Sequence, residues 1–366
     1  MKVIDKLNPQ LADLPVYQPG RPIEEVAREL GLDVSGIIKV ASNENPIGPS
    51  PAAIEAMQKA ARGMHLYPDG NCFHLKRRLA EKLGMEPSNL IMGNGSNEII
   101  EFVGHAFLRP GTNIVVSEYC FAIYPIVARM LGARVKVAQA KEYGHDLEAM
   151  LELVDEETQI LFVANPNNPT GTLAPRDEIL ALVDRIPEHV LLVLDEAYYE
   201  FLEDAADLLP RIREAHPNLL IMRTFSKIYG LAGLRVGYGI GNRQLVAALE
   251  KIRQPFNINA MAQAGALAAL DDDAHLDATR ATNREGLAFL EETFRGMGLE
   301  LVPSFANFSL VRTGNGAAVC QALQKAGVIT RPMGGYGLPD WIRVSVGTMD
   351  ENRKCIEALK PALEKG

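Results

Sequence analysis

Helix-period stretches and short apolar runs alternate from about residue 50 to 250, and this alternation constrains the fold more than any other feature of the chain. PAAIEAMQKAAR and FHLKRRLAEKLG, for example, have the periodicity of amphipathic helices. The runs between such stretches are rich in Val, Ile and Leu: NIVVS, RVKVA, QILFVANP, VLLVLDEA and LLIMRTFS. Continuous runs of this kind are typical of parallel strands buried on both faces. The sequence therefore predicts an α/β fold with a doubly wound, mostly parallel sheet.

The pattern changes after about residue 255. Alanine-rich helical stretches there precede the alternating strands NFSLVRT and WIRVSVG, which favour a smaller α+β domain. A chain of 366 residues is also longer than a single hydrophobic core usually accommodates. We predict a large domain over 46–255, a small C-terminal domain over 256–366, and an N-terminal arm over 1–45 that packs with the small domain.

Charge and composition narrow the possible partners. A net charge of −9 argues against nucleic acid or an anionic membrane surface as partner. The apolar runs are far shorter than the roughly 20 residues of a membrane span, and the N-terminus lacks the apolar core of a signal peptide. The four cysteines and seven histidines show no metal-ligand spacing, so we predict free thiols and no metal site. A reducing cytoplasm is the predicted location.

Polar motifs follow four of the predicted strands, at the edge where ligands of such sheets bind. They are MGNGSNEII, VANPNNPTGT, VLLVLDEAYYE and TFSKIYGLAGLRVGY. Each also has a purely structural explanation. Glu98 in the first turn suits an ordinary helix start, Asn-Pro and Thr-Gly suit a turn, Asp195 suits an N-cap, and Lys227 in a turn usually points into water.

Taken together, the motifs supply one set of chemical groups. Free amides at Ser96 and Asn97 suit a phosphate. Lys227 can form an imine, Asp195 can keep a pyridine nitrogen protonated, and a tyrosine and an asparagine can hydrogen-bond a phenolic oxygen. Pyridoxal phosphate requires this list, and we predict it as the cofactor of the large domain.

The order NPNNPTG, DEAYYEF and TFSKIYGLAGLRVGY resembles the fold-type I, pyridoxal-phosphate-dependent aminotransferases of class I and II, over essentially the whole chain. YQPGRPIEEVARELG, KVASNENPIGPSP, YPDGN and WIRVSVGTMDEN are similar to the histidinol-phosphate aminotransferases among them.

The resemblance implies a role for each matching residue. Lys227 would form the imine and move the proton, and Asp195 would pair with the pyridine nitrogen. Asn168 and Tyr198 would hydrogen-bond the ring oxygen O3′, and Phe121 would stack on the ring, with Tyr124 as a second aromatic nearby. Tyr119 stands where the family usually has proline. The residues implied to hold the cofactor phosphate are Ser96, Asn97, Thr224, Ser226 and Arg235.

The resemblance also implies substrate contacts and a homodimer with shared active sites. Arg343 matches the arginine that binds the glutamate carboxylate, and Arg331 matches a second anion-binding arginine. Tyr17 and Asn43 match positions that line the same pocket. Tyr67 matches a tyrosine that reaches the cofactor phosphate of the other subunit.

The implied reaction interconverts histidinol phosphate plus 2-oxoglutarate with imidazole-acetol phosphate plus glutamate, in histidine biosynthesis. Three alternatives remain open from the sequence. They are an aromatic amino-acid aminotransferase, a lyase of the threonine-phosphate decarboxylase type, and a cofactor-binding module without activity.

Overall fold

The computed structural model describes residues 2–12, 14–214 and 216–364. Its α-helices are α1 (Ile23–Leu30), α2 (Pro51–Ala61), α3 (Phe73–Leu83), α4 (Ser96–Phe107), α5 (Ile123–Met130), α6 (Leu147–Glu152), α7 (Arg176–Arg185), α8 (Leu209–Arg213), α9 (Arg243–Leu249), α10 (Ala260–Ala269), α11 (Asp273–Gly296), α12 (Gly316–Lys325) and α13 (Met349–Glu364). Its strands are β1 (Ile38–Lys39), β2 (Leu90–Gly93), β3 (Asn113–Ser117), β4 (Arg134–Ala138), β5 (Thr158–Ala164), β6 (Leu191–Asp195), β7 (Leu219–Thr224), β8 (Gly237–Gly241), β9 (Leu301–Val302), β10 (Phe308–Arg312), β11 (Val328–Ile329), β12 (Arg331–Pro332) and β13 (Trp341–Ser345).

The predicted apolar runs become five neighbouring strands of a seven-stranded sheet, with RVKVA (β4) at its edge. Its strand order is β2-β8-β7-β6-β5-β3-β4. Strands β7, β6, β5, β3 and β4 pair in parallel, whereas β8 is antiparallel to both of its neighbours. The predicted doubly wound, mostly parallel sheet is confirmed.

Both faces of this sheet are buried, as the continuous apolar runs require. Along β5, Ile160 and Phe162 join one core cluster with α4, α5 and α9, whereas Leu161 and Val163 join another with α3, α7 and α10. Successive side chains of a strand point to opposite faces, so an uninterrupted apolar run can fill two cores at once.

A second, smaller sheet is antiparallel and has four strands in the order β12-β13-β10-β9. Helices α11, α12 and α13 pack with it. The N-terminal segment joins this part of the molecule, because β1 pairs in parallel with β11 and α1 contributes Val26 and Ala27 to a small cluster with Ile329.

The domain boundaries stay predictions, and the packing of α10 bears on one of them. This helix begins beyond residue 255, yet it packs against α2, and its Ala262 and Ala266 lie in a core of the large sheet. The alanines allow this close helix-helix contact, which the change of sequence pattern near residue 255 does not reveal.

The carboxyl ends of β5, β6 and β7 meet at one edge of the sheet. Ala164 is the register partner of Asp195, and Asp195 is the register partner of Met222. The motifs after these strands therefore lie side by side. None of the described helices is long and apolar enough to cross a membrane.

Candidate active site

A cavity of about 430 Å³ opens at this edge, with walls from the large sheet, the small sheet and the N-terminal segment. That volume lies in the usual range for small-molecule sites. Among its lining residues are these residues predicted from the sequence: Tyr17, Asn43, Ser96, Asn97, Phe121, Asn168, Asp195, Tyr198, Thr224, Ser226, Lys227, Arg235, Arg331 and Arg343. The structure brings these residues together; the role of each in binding or catalysis stays a prediction.

One group of these residues can bind an anion. Helix α4 begins at Ser96 after Gly95, whose φ is 73° and which supplies no side-chain cap. Thr224 Oγ1 donates to Ser226 Oγ (3.0 Å), which also accepts from Arg235 Nη1 (3.3 Å). Amides at a helix start, two hydroxyls and a guanidinium are the donor set that a phosphate requires.

Glu98 lies in the first turn of α4, as expected of an ordinary helix start, and it also contacts the preceding loop. Its Oε2 accepts from the amide of Asn94 (2.6 Å) and from the side chain of Asn257 (2.7 Å). The carboxylate therefore fixes the loop that precedes α4, and the start of the helix faces the cavity.

Asp195 is a buried carboxylate at the end of β6, only 6% exposed. Tyr124 Oη donates to Oδ2 (2.7 Å), and the amide of Ala197 donates to Oδ1 (3.2 Å). Burial raises the pKa of Asp195, although both hydrogen bonds oppose the shift. A cation in the cavity would favour the ionised form, so the site suits a protonated nitrogen.

Lys227 lies in the cavity, so the expectation that a turn lysine points into water is wrong here. Its Nζ donates to the carbonyl oxygens of Ser42 and Asn43 (3.3 Å each). Burial, helped by the charge of Arg343, lowers the pKa of Lys227 to about 8. An amine with this pKa can both accept and donate protons near neutral pH.

Tyr198 and Asn168 occupy a second hydrogen-bonded group. Tyr198 Oη accepts from Asn43 Nδ2 (2.9 Å), and Asn168 Oδ1 accepts from Arg343 Nη1 (2.6 Å). Burial raises the pKa of Tyr198, while Arg343 and the hydrogen bond from Asn43 act in the opposite direction. Tyr198 is therefore a neutral phenol that can donate into the cavity.

Arg331 and Arg343 are cross-strand register partners in the antiparallel pair β12–β13. Arg331 Nη2 donates to the carbonyl of Gln18 (2.6 Å), and Arg343 Nη2 donates to that of Ala41 (3.0 Å). The buried Nε of Arg343 has no hydrogen-bond partner in the described structure. Like charges directly opposite each other are destabilising, and an anion between them would remove that repulsion.

Two features of the site escaped the sequence analysis. Tyr124 was expected only as an aromatic neighbour, yet its hydroxyl donates to Asp195 Oδ2 from the first turn of α5, and the sequence carries no signal for this contact. Tyr336 lines the cavity beside Arg343 and has no motif around it.

A buried ion pair next to the site also went unnoticed. Arg223 Nε donates to Glu196 Oε2 (2.8 Å), and the guanidinium lies 3.7 Å from the centre of the Tyr199 ring. Because these residues follow Asp195 and precede Thr224, the pair ties the ends of β6 and β7 together.

Tyr67 lies outside the cavity, in the segment between α2 and α3. Its side chain is 83% exposed, and its ring stacks on Phe256 at a centroid distance of 4.7 Å. Within one chain it contacts no other predicted site residue that the structure describes.

Comparison with known proteins connects this geometry to a family. Residues 35–359 match the aminotransferase class I and II family. The chain belongs to this family. A histidinol-phosphate aminotransferase of Akkermansia muciniphila is 48% identical over 364 residues, covering 99% of this chain and 100% of the relative. Histidinol-phosphate aminotransferase 2 of Pseudomonas aeruginosa is 47% identical over 361 residues, covering 97% of each chain.

A solved structure of the same kind superimposes closely on this aminotransferase. It is the crystal structure of histidinol-phosphate aminotransferase from Sinorhizobium meliloti in complex with pyridoxal 5′-phosphate. The TM-score is 0.90 at 29% identity, and 98% of each chain is covered.

The residues of the cavity fit pyridoxal 5′-phosphate. The α4 start with Thr224, Ser226 and Arg235 suits its phosphate, and the buried Asp195 carboxylate suits its ring nitrogen. Lys227 offers an amine with a lowered pKa in the same cavity. These are the anchors that such a cofactor requires of its protein.

Proposed function

We propose that this chain is a histidinol-phosphate aminotransferase of histidine biosynthesis that uses pyridoxal 5′-phosphate. It interconverts histidinol phosphate plus 2-oxoglutarate with imidazole-acetol phosphate plus glutamate. The observation that carries this proposal is the pair of opposed arginines in the cavity wall, Arg331 and Arg343. The names and near-complete coverage of the relatives support the same activity.

The arginine pair suits both substrates. Histidinol phosphate has no carboxylate, so its phosphate dianion is the group by which a cationic pocket can hold it. Two guanidinium groups match a dianion, each charge-assisted contact contributing about 1.5–3 kcal/mol. Glutamate and 2-oxoglutarate each carry two carboxylates, and Arg343, whose Nε has no partner in the described structure, can bind one of them.

The other proposed roles divide between holding the cofactor and moving protons. Bound here, pyridoxal phosphate supplies an electron sink for breaking the Cα–H bond and carries the amino group between the two substrates. Asp195 keeps the ring nitrogen protonated, held in place by Tyr124. Tyr198 and Asn168 donate to the phenolic oxygen, and Phe121 covers one face of the ring.

Lys227 is the proposed attachment point and proton carrier. Its amine would take the proton from the substrate Cα and deliver a proton to the carbon of the cofactor. In the reverse direction the two transfers would run in the opposite sense. Burial favours the neutral form that the first step requires, whereas the carbonyls of Ser42 and Asn43 accept from the protonated form.

The substitution Arg331→Ala tests the role of the arginine pair. We expect kcat/KM for histidinol phosphate to fall about 10- to 100-fold, because one charge-assisted contact is lost. The glutamate half-reaction, followed by cofactor absorbance and 2-oxoglutarate release, should change much less, since glutamate can still use Arg343. Arg312→Ala is the matched control, because Arg312 is half-exposed and pairs with Glu300 and Asp340. Equal losses in both half-reactions would remove the proposed division of roles.

Glutamate alone separates this reaction from the lyase and the inactive module. Wild-type protein should convert the bound cofactor to its amine form and release one 2-oxoglutarate per site. Neither event is required of a lyase or of a binding module.

A homodimer with shared active sites is part of the proposal. The segment around Tyr67 presents apolar side chains to solvent, including Met64 (43% exposed), Leu66 (66%), Phe73 (58%) and Phe256 (45%). Apolar clusters of this kind mark protein interfaces. A second copy of the chain would cover this surface and bring Tyr67 to the phosphate group of the neighbouring site.

Mixing two inactive variants tests the shared site. Lys227→Ala chains combined with chains carrying a disabling substitution of Tyr67 should form hybrid dimers with one intact site and recover part of the activity. Native mass spectrometry confirms that hybrids form. Hybrids without activity would count against the contribution of Tyr67 across the interface.

A cytoplasmic location is also proposed. The four cysteines, Cys72, Cys120, Cys320 and Cys355, are buried free thiols, which accords with a reducing compartment.

A further inference from the structure

Asn43 connects more parts of the site than a pocket-lining residue requires. It lies in the segment after β1, is 1% exposed, and has a left-handed backbone with φ of 55°. Among residues with side chains, asparagine is one of the few that adopt this conformation readily. The left-handed backbone lets both the side chain and the carbonyl of Asn43 contact residues of the active site.

Two of these contacts are with the residues proposed to act on the cofactor. Asn43 Nδ2 donates to Tyr198 Oη (2.9 Å), and Asn43 O accepts from Lys227 Nζ (3.3 Å). With its oxygen already accepting from Asn43, the Tyr198 hydroxyl directs its own hydrogen elsewhere, towards the cavity. Hydrogen bonds in such a chain also polarise one another, which strengthens the donor.

The small domain holds Asn43 in this position. The backbone amide of Asn43 donates to Ser345 Oγ (2.8 Å), and Ser345 Oγ donates to the side-chain oxygen Oδ1 of Asn43 (2.8 Å). Asn307 Nδ2 donates to Asn43 O (3.0 Å). Ser345 ends β13, Asn307 directly precedes β10, and both are buried, so neither contact is exposed to exchange with bulk water.

We propose that Asn43 is a positioning residue that orients Tyr198 and Lys227, and that Ser345 and Asn307 make this orientation depend on how the small domain is seated. The inference deepens the proposed function, since it assigns Tyr198 and Lys227 to the cofactor. It also changes the expectation for Asn43 itself: its Oδ1 and one amide hydrogen are taken by protein groups, so its main contribution is to residues, not to substrate.

The charged groups around Tyr198 and Lys227 must be kept constant in any test. They are Arg343 on β13, Asp195 at the end of β6, Glu44 next to Asn43, and Arg235 before β8. Substitutions at Asn43 and Ser345 leave all four in place and add no charge.

The test measures the visible absorbance of the cofactor attached to Lys227 as a function of pH. Asn43→Gly removes the donor to Tyr198 while a glycine keeps the left-handed backbone. Because Tyr198 is retained but then donates less well to the phenolic oxygen, the titration midpoint should rise by a fraction of a pH unit, less than the loss of a whole hydrogen bond would give.

Ser345→Ala tests the connection to the small domain, and it keeps the proposal falsifiable if Asn43→Gly does not fold. It removes both contacts between Ser345 and Asn43 without touching the cavity, so the midpoint should rise in the same direction by a smaller amount. Ser309→Ala is the matched control, since Ser309 is a buried serine of the same sheet whose hydroxyl has no partner among the described residues. Its midpoint should equal that of the wild type.

Two results would overturn the proposal. One is a lower melting temperature in Asn43→Gly and Ser345→Ala with unchanged midpoints, which would make Asn43 purely structural. The other is an equal shift in Ser309→Ala. The titration needs only the bound cofactor, so a protein that gives the expected shifts but does not turn over histidinol phosphate would refute the proposed substrate and not the role of Asn43.

Discussion

At the scale of single residues, the site contains groups that are costly for the fold. Lys227 carries an amine in a buried place, and Arg235 and Asn43 have left-handed backbones. The left-handed conformation of Arg235 costs about 1–3 kcal/mol, whereas asparagine adopts it more readily, and strain of this kind concentrates at functional sites. These destabilising features therefore lie where cofactor and substrate are expected to bind.

The lysine gives a prediction with a defined pH dependence. Its pKa is about 8 in the folded protein and 10.5 in its ordinary state, so the unfolded chain binds more protons between these values. Burying the charged amine of Lys227 lowers the folding stability by its full amount below pH 8. This destabilisation decreases as the pH rises from 8 to 10.5, so the folding stability rises with pH in this window.

Cofactor-free Lys227→Met should accordingly be more stable than cofactor-free wild type at pH 7, by about 3 kcal/mol at most. The difference should shrink as the pH approaches 10. Urea unfolding of both proteins across this range measures it directly, because all other titrating groups are shared. A difference in unfolding free energy that stays constant with pH would mean that burial does not lower the pKa of the Lys227 amine.

At the scale of elements, the start of α4 depends on close contact with the segment before β8. A Cβ at Gly95 would lie 2.4 Å from Arg235 Nη2, and one at Gly237 would lie 2.4 Å from the amide nitrogen of Ser96. Only glycine permits these approaches, which bring the guanidinium to the helix start.

Gly95→Ala should therefore displace Arg235 and weaken pyridoxal phosphate binding by at least tenfold, the loss of one charge-assisted contact. Gly111→Ala is the control, since Gly111 also has a positive φ, of 96°, but nothing within 4 Å of the added carbon. Equilibrium dialysis should show weaker cofactor binding only for Gly95→Ala. Equal affinities would contradict the phosphate site.

The strands of the large sheet could be predicted from the sequence, whereas some contacts between elements could not. The strands β3 to β7 follow from continuous apolar runs, and the parallel sheet then brings Asp195, Asn168 and Thr224 to one edge. The register of β12 with β13, which opposes Arg331 and Arg343, could not be predicted, because β12 has two residues and no pattern of its own. The contact of Tyr124 with Asp195 likewise depends on how α5 packs on the sheet.

At the scale of the whole molecule, the cavity exists only because both sheets and the N-terminal segment meet. Arg343 belongs to the small sheet, Lys227 to the loop that follows β7 of the large sheet, and Asn43 to the segment between β1 and α2. In the proposed function, substrate and cofactor groups are therefore held by different parts of the fold, and a second copy would pack on the exposed surface around Tyr67.

Under the proposed function, the opposed Arg331 and Arg343 make this aminotransferase selective for a phosphorylated amine. The most direct measurement compares kcat/KM of the purified protein for histidinol phosphate, histidinol, phenylalanine and tyrosine, with 2-oxoglutarate as acceptor. Loss of the phosphate removes two charge-assisted contacts, so histidinol should be poorer by about two to four powers of ten. We expect histidinol phosphate to be the best of the four substrates, and a preference for phenylalanine or tyrosine would rule out selectivity for the phosphate.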